Sequence, residues 1–278
     1  MSLLYTEVRG SGPTLVLLHG WGLNVRVWDG LAAALCDRFR IVAVDLPGHG
    51  RSAWLPERSS LEDQAAQVAE TVAEIAAEYS LLGWSLGGQI ALRLAAGQPP
   101  SRARQAAAVP ESAGLATVER LALIATTTRF LASPDWPHGA PPERLAAQAA
   151  GLRTDYRRTV SDFLELQVRG SAGGTEALAQ LRAALFAHGS ADPLLEALAR
   201  GLELLRDNDL RPLLPRIRQP TLVIAGQYDR VILPAATRAL ADGLPNARYE
   251  EIRRAAHAPF LSHLPELGAL ISQFLLQP

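Results

Sequence analysis

Lysine is absent from this chain: all 27 basic residues are arginine, and 28 acidic residues offset them to a formal net charge of -1. Such a balance gives no overall pull toward nucleic acid or a membrane surface, so an electrostatic partner has to be met by a local patch. Cysteine occurs once, at Cys36, which excludes an intramolecular disulfide and a cysteine-rich metal cluster and fits a reducing compartment. Its apolar, helix-like surroundings read as those of a small core residue. No apolar stretch approaches the ~20 residues that cross a bilayer. The opening Met1-Ser2-Leu3-Leu4-Tyr5-Thr6-Glu7 turns polar at once, so no secretory leader is expected and a cytoplasmic, monomeric protein is. No metal and no organic cofactor are expected either.

What is present is an ordinary globular composition, 48% hydrophobic and 20% charged over 278 residues. That length predicts one domain with an insertion. Short continuous apolar runs alternate with helix-like stretches: Thr14 to Leu18, a helix ending near Cys36, Ile41 to Val44, a helix over about Leu61 to Glu78, then Ser80-Leu81-Leu82. Ser60 with Asp63 three residues on forms a capping-box signal for that second helix. Runs without in/out polarity, separated by helices, argue for a mostly parallel sheet with helices on both faces. After the strand at Arg120 to Ala125 the strand pattern stops, and helices are predicted over Pro142–Ala150, Asp155–Arg169, Thr175–His188 and Pro193–Arg206, the last with Asp192 as N-cap. The alternation resumes at Pro220 to Gly226 and closes with a helix over Pro265–Leu276. A core of 1–125 and 210–278 with an all-helical lid at 126–209 is therefore expected. The stretch Gly97 to Leu115 reads as a surface excursion.

Gly83-Trp84-Ser85-Leu86-Gly87 sits between a strand and a helix. In that context Gly-x-Ser-x-Gly is a nucleophile elbow, whose glycines let the chain reverse and hold the serine hydroxyl out above the sheet. A serine needs a base within hydrogen-bond reach and a third group to fix the base. Asp229 and His257 each follow a strand, in the chain order this architecture requires. Among the other histidines, His19 and His49 lie in glycine turns before the serine, His138 and His188 fall in the helical block, and His263 starts a helix. Asp45 precedes the serine and reads as a loop-closing residue, while Asp135, flanked by prolines, is the less suitable alternative acid. Oxyanion donors are expected from the amide of Leu86, at a helix N-terminus, and from Trp21 in the His19-Gly20-Trp21-Gly22 turn. The place of Trp21 between glycines at a strand edge argues against a packed core aromatic.

The elbow, the turn Leu18 to Asn24 and the segment Ala255-Ala256-His257-Ala258-Pro259-Phe260-Leu261-Ser262-His263 resemble the α/β-hydrolase superfamily and, within it, the pimeloyl-[acyl-carrier protein] methyl ester esterases of biotin synthesis. The resemblance covers nearly the whole chain. It implies that Phe163, Leu164, Leu166 and Gln167 line a substrate channel together with Trp21, Ser85, Leu86 and His257, and that the partner is an acyl-carrier protein bearing a methyl pimeloyl chain. A carrier of this kind is acidic, so Arg153, Arg157, Arg158 and Arg169 form a candidate docking patch. Asp162 stands where the family pattern has a further basic residue. Two alternatives remain open at this level: a general carboxylesterase or lactonase on small free esters, and a ligand-binding protein of hydrolase fold with a vestigial triad.

Overall fold

The computed structural model describes residues 4–97, 116–186 and 194–277. Seven strands form one sheet: β1 Thr6–Arg9, β2 Thr14–Leu18, β3 Arg40–Val44, β4 Glu78–Trp84, β5 Thr117–Ile124, β6 Thr221–Gly226 and β7 Ala247–Ile252. Their spatial order is β1-β3-β2-β4-β5-β6-β7, and every neighbouring pair is parallel except β1 with β3. The central runs Leu15-Val16-Leu17-Leu18, Leu81-Leu82 and Leu222-Val223-Ile224 are fully buried. Helices cover both of their faces, which is why those runs are continuous instead of alternating. The edge strands β1 and β7 are polar and half exposed, and Arg26 reaches over to pair with Glu7 on β1. Charge on an exposed strand edge discourages pairing with another chain.

Because β2 lies between β3 and β4, the chain leaves β2 outward on one side and returns on the other. A crevice opens at such a switch point, outside the carboxyl ends of the strands. The turn after β2, the elbow after β4, the loop after β6 and the turn after β7 all meet there. Helix α1 spans Asp29–Leu35, α2 Leu61–Ala73 and α3 Leu86–Ala96. The capping box of α2 forms, with the Asp63 amide donating to Ser60 Oγ at 3.1 Å and the Ser60 amide to Asp63 Oδ2 at 3.2 Å. That helix ends at Ala73, five residues short of the sequence-based bound, because Glu78 is drawn into β4 opposite Thr117 of β5. Sheet pairing overrides a good local helix preference here. Beneath the crevice Trp28, Trp84 and Phe260 pack ring on ring, with centroids 4.5 Å (Trp28 to Phe260) and 4.8 Å (Trp84 to Phe260) apart.

Between β5 and β6 lie α4 Pro142–Thr154, α5 Tyr156–Val168, α6 Gly174–Phe186 and α7 Leu195–Asp207. The block is not helical throughout: an isolated bridge joins Leu131 to Ala140 before the first helix begins, and another joins Arg129 to Asp209 across the two ends of the block. Helix α5 is capped by the Asp155 carboxylate, which accepts the Arg158 amide at 3.1 Å. Helix α7 starts at Leu195 with Leu194 at its N-cap, two residues after the expected start. Asp192, Pro193, His188 and the stretch from 98 to 115 lie outside the described residues. The chain closes with α8 Pro234–Gly243, the short α9 Pro259–Ser262 and α10 Leu264–Leu275. Among the described residues no helix is long and apolar enough to cross a membrane, and no group of residues has the makings of a metal site.

Candidate active site

Ser85 joins β4 to α3 with φ 56° and ψ -116°, a backbone conformation that costs about 1–3 kcal/mol for a residue with a side chain. The conformation is locked from several sides. Its amide donates to the Ile124 carbonyl at 3.0 Å, and its own carbonyl accepts the amides of Gly88 and Gln89. A Cβ at Gly83 would stand 2.5 Å from the Gly87 carbonyl oxygen, and one at Gly87 would strike the carbonyls of Leu18 and His19. Glycine is required at both places because backbone passes backbone.

Asp229 lies buried in the loop after β6. Its Oδ1 accepts the amides of Val231 and Ile232 at 2.8 and 2.9 Å, while Oδ2 faces His257 Nδ1 at 2.7 Å. A carboxylate only accepts, so the proton of the imidazole sits on Nδ1 and Nε2 presents a lone pair. His257 Nε2 is buried and has no hydrogen-bond partner among the described residues. No hydrogen bond joins it to Ser85 in this structure; such bonds commonly tighten only when substrate is bound. What brings His257 to the elbow is Trp84, the residue before Ser85, whose indole Nε1 donates to the His257 carbonyl at 2.9 Å. From the other side the His257 amide donates to the Gln167 carbonyl at 2.9 Å, at the end of α5.

The Leu86 amide opens α3, where the first amides have no intrahelical acceptor. Neither it nor the Trp21 amide donates to any acceptor among the described residues. The ring of Trp21, by contrast, is a packed core aromatic, contrary to the sequence-based expectation. It is 3% exposed, donates from Nε1 to the Leu198 carbonyl at 2.9 Å, and meets Phe163 edge-on with centroids 5.1 Å apart. Helices α5 and α7 supply the cover that flanking glycines alone gave no hint of.

The turn that carries Trp21 is held by two buried histidines. His49 Nε2 accepts the Gly22 amide at 3.3 Å and its Nδ1 donates to the Pro47 carbonyl, while His19 Nε2 accepts the Leu46 amide at 3.0 Å. Burial pushes both well below the ordinary imidazole range, to about 4, so both are neutral near pH 7. Asp45 closes the neighbouring loop by accepting the amides of Val25 and Arg51. Of the remaining candidates, Asp135 is exposed and tied to Ser133 and Arg211, which hold its carboxyl down at about 2. His138 stacks edge-on against Trp136, and His263 pairs with Ser262.

On α5, Leu164 and Gln167 are buried, Phe163 and Leu166 are half-buried, and Gln167 Oε1 has no partner among the described residues. Arg153, Arg157, Arg158 and Arg169 are all exposed, with Arg158 loosely paired to Asp162 at 3.7 Å. Trp84, inside the elbow motif, is the functional residue that the motif alone does not single out. The signal lay in plain view, as a tryptophan beside the candidate nucleophile.

A family model described as the alpha/beta hydrolase family matches residues 15–267. The chain belongs to that family. It is 38% identical over 263 residues, 94% of this chain and 95% of the relative, to a pimeloyl-[acyl-carrier protein] methyl ester esterase of Nitrosomonas europaea. A protein of the same description from Stenotrophomonas maltophilia is 38% identical over 272 residues, 98% of this chain and 96% of that one. Among solved structures, the enol-lactonase of Burkholderia xenovorans matches with a TM-score of 0.79 at 26% identity, covering 99% of this chain and 96% of that one. An esterase from Exiguobacterium antarcticum has a TM-score of 0.81 at 22% identity, covering 98% and 95%, and bears on the fold alone.

Proposed function

We propose that this α/β hydrolase is a serine esterase that cleaves the methyl ester of a pimeloyl chain borne by an acyl-carrier protein, a step of biotin synthesis. The observation that carries the chemistry is the buried His257–Asp229 contact with Nε2 unengaged among the described residues, on a turn tied by its carbonyl to Trp84, the residue before the strained Ser85. The substrate rests on near-full-length likeness to relatives of that description.

Ser85 Oγ attacks the ester carbonyl while His257 Nε2 takes its proton, and Asp229 holds the imidazole and stabilises the imidazolium that forms. Negative charge gathers on the carbonyl oxygen, toward the free amides of Leu86 and Trp21; losing one such donor typically costs ~10²–10³ in rate. The imidazolium then protonates the departing methanol. Water, deprotonated by the same nitrogen, releases the acid and restores Ser85.

In this reading residues 126–209 are a lid over a core of 1–125 and 210–278, and Phe163, Leu164, Leu166 and Gln167 guide the acyl chain under it. The exposed Arg153, Arg157, Arg158 and Arg169 receive the acidic carrier. A monomer working in the cytoplasm fits a substrate tethered to a carrier. The test is mass-spectrometric release of free pimeloyl-carrier from its methyl ester, with Ser85→Ala beside the wild type. Conversion by wild type alone, far faster than of free methyl pimelate, is the expected result. Turnover of short free esters with the carrier-bound ester inert would leave the serine chemistry standing and remove the pathway assignment.

A further inference from the structure

Among the described residues, three other than glycine have positive φ: Ser85, Ala125 and Arg254. The elbow accounts for the first. Arg254, at φ 59°, lies in the turn between β7 and His257, and its side chain is exposed. It makes no hydrogen bond or ion pair through the guanidinium among the described residues, so the side chain does not compensate for the unfavourable backbone. The backbone itself is what is held. The Arg254 amide donates to Gln227 Oε1 at 3.0 Å, and the Arg254 carbonyl accepts the Ala172 amide at 2.9 Å. Gln227 is in turn anchored through its own amide to the Ile252 carbonyl at 3.0 Å, and Tyr228 next to it donates to the Ala255 carbonyl at 2.7 Å.

Gln227 therefore stands two residues before Asp229 while its side chain fixes a turn three residues before His257. One amide oxygen spans the two loops whose side chains meet at 2.7 Å. The same turn ties down Ala172, just past α5, and the carbonyl of Gln167 in α5 receives the His257 amide. Without the Gln227 oxygen, the Arg254 amide would lose its acceptor at 3.0 Å and nothing on the side chain would hold the positive φ that presents its carbonyl to Ala172.

We propose that Gln227 is a positioning residue: by holding Arg254 in the left-handed region it sets His257 against Asp229 and joins the His257 turn to the segment after α5. The proposal rests on the serine-esterase reading above. Because the Arg254 side chain is unpaired, glycine and valine at 254 remove the same contacts and differ mainly in backbone preference; glycine accepts positive φ freely, whereas a β-branched residue resists it.

The experiment follows hydrolysis of a small chromogenic ester, p-nitrophenyl butyrate, by the full chain, with thermal melting to verify folding. Gln227→Ala is expected to lower kcat at least tenfold with KM within about twofold, and to move the acid limb of the pH profile to lower pH as Asp229 supports the imidazolium less. Arg254→Val should behave likewise, Arg254→Gly should keep activity, and Arg254→Gly added to Gln227→Ala should restore at least half of the lost kcat on a logarithmic scale. The valine and glycine variants keep the test alive if Gln227→Ala does not fold. Equal activity of R254V and R254G, or a double variant no better than Q227A, overturns the proposal. Ser85→Ala is run beside them: if it is inert while Q227A is unimpaired, only the role of Gln227 falls, and if it remains active both readings fall.

Discussion

Lowering the pH from 7 to 5 is expected to strip stability from this protein through His19 and His49, which the proposed catalytic steps do not use. Burial holds both at about 4 in the folded chain, whereas an unfolded imidazole titrates near 6.5. Between those values the unfolded chain binds protons that the folded chain refuses, so stability rises with pH and is lost as pH falls through 6.5 toward 4. Integrating between pH 7 and 5 gives about 2 kcal/mol per histidine and about 4 for both, a large part of a typical ~5–15 kcal/mol. Carboxylates held low by partners, such as Glu62 by Arg93 and Asp209 by Arg211, give up stability only as pH drops through the carboxylate range. The window above pH 5 thus belongs to the histidines. Urea midpoints followed by circular dichroism at pH 7, 6 and 5 measure the loss, and His49→Gln, which keeps a donor and an acceptor without titrating, should halve it. A midpoint that does not move between pH 7 and 5, or an H49Q variant that loses as much as wild type, would refute the reasoning.

Asp229→Asn should cut kcat on the order of 10⁴-fold, as loss of the orienting carboxylate does in other triads. The reason is local: the amides of Val231 and Ile232 claim the amide oxygen at the Oδ1 position, which turns the NH₂ toward His257 Nδ1 and leaves the proton on Nε2, where a base is needed. Gly201→Ala should push the Trp21 ring aside, since a Cβ there would stand 2.6 Å from its Cδ1; a loss of 1–3 kcal/mol in urea titration, with reduced turnover, is expected. Arg158→Glu should slow carrier-bound ester at low salt and leave a small free ester untouched, because its exposed pairing with Asp162 contributes little to the fold; equal effects on both substrates would end its docking role.

The sheet was legible because buried parallel strands write themselves as continuous Val, Leu and Ile, and the candidate site because Ser85, Asp229 and His257 each follow such a strand. What escaped was whatever depends on a partner far along the chain. Strand β1 is four half-exposed residues, Thr6–Arg9, stabilised by pairing with β3 more than 30 positions away, and its polar composition carries no strand signal. The end of α2 moved because β5 claims Glu78. The packing of Trp21 needed α7, 177 residues later, to bring up the Leu198 carbonyl. The Gln227–Arg254 contact has no sequence signature, since an exposed arginine at positive φ looks like any other.

His257 is fixed from three directions, by Asp229 on the ring, by Trp84 on its carbonyl and by Gln167 on its amide. The last of these ties its placement to α5. A movement of α5 large enough to admit substrate would break the His257 to Gln167 bond if it displaced the Val168 end, and the Ala172 to Arg254 bond secures the chain just beyond. That end is the fixed one. If α5 covers the site as proposed, substrate entry is expected to leave the Val168 end in place, since moving it would unseat the His257 amide from the Gln167 carbonyl.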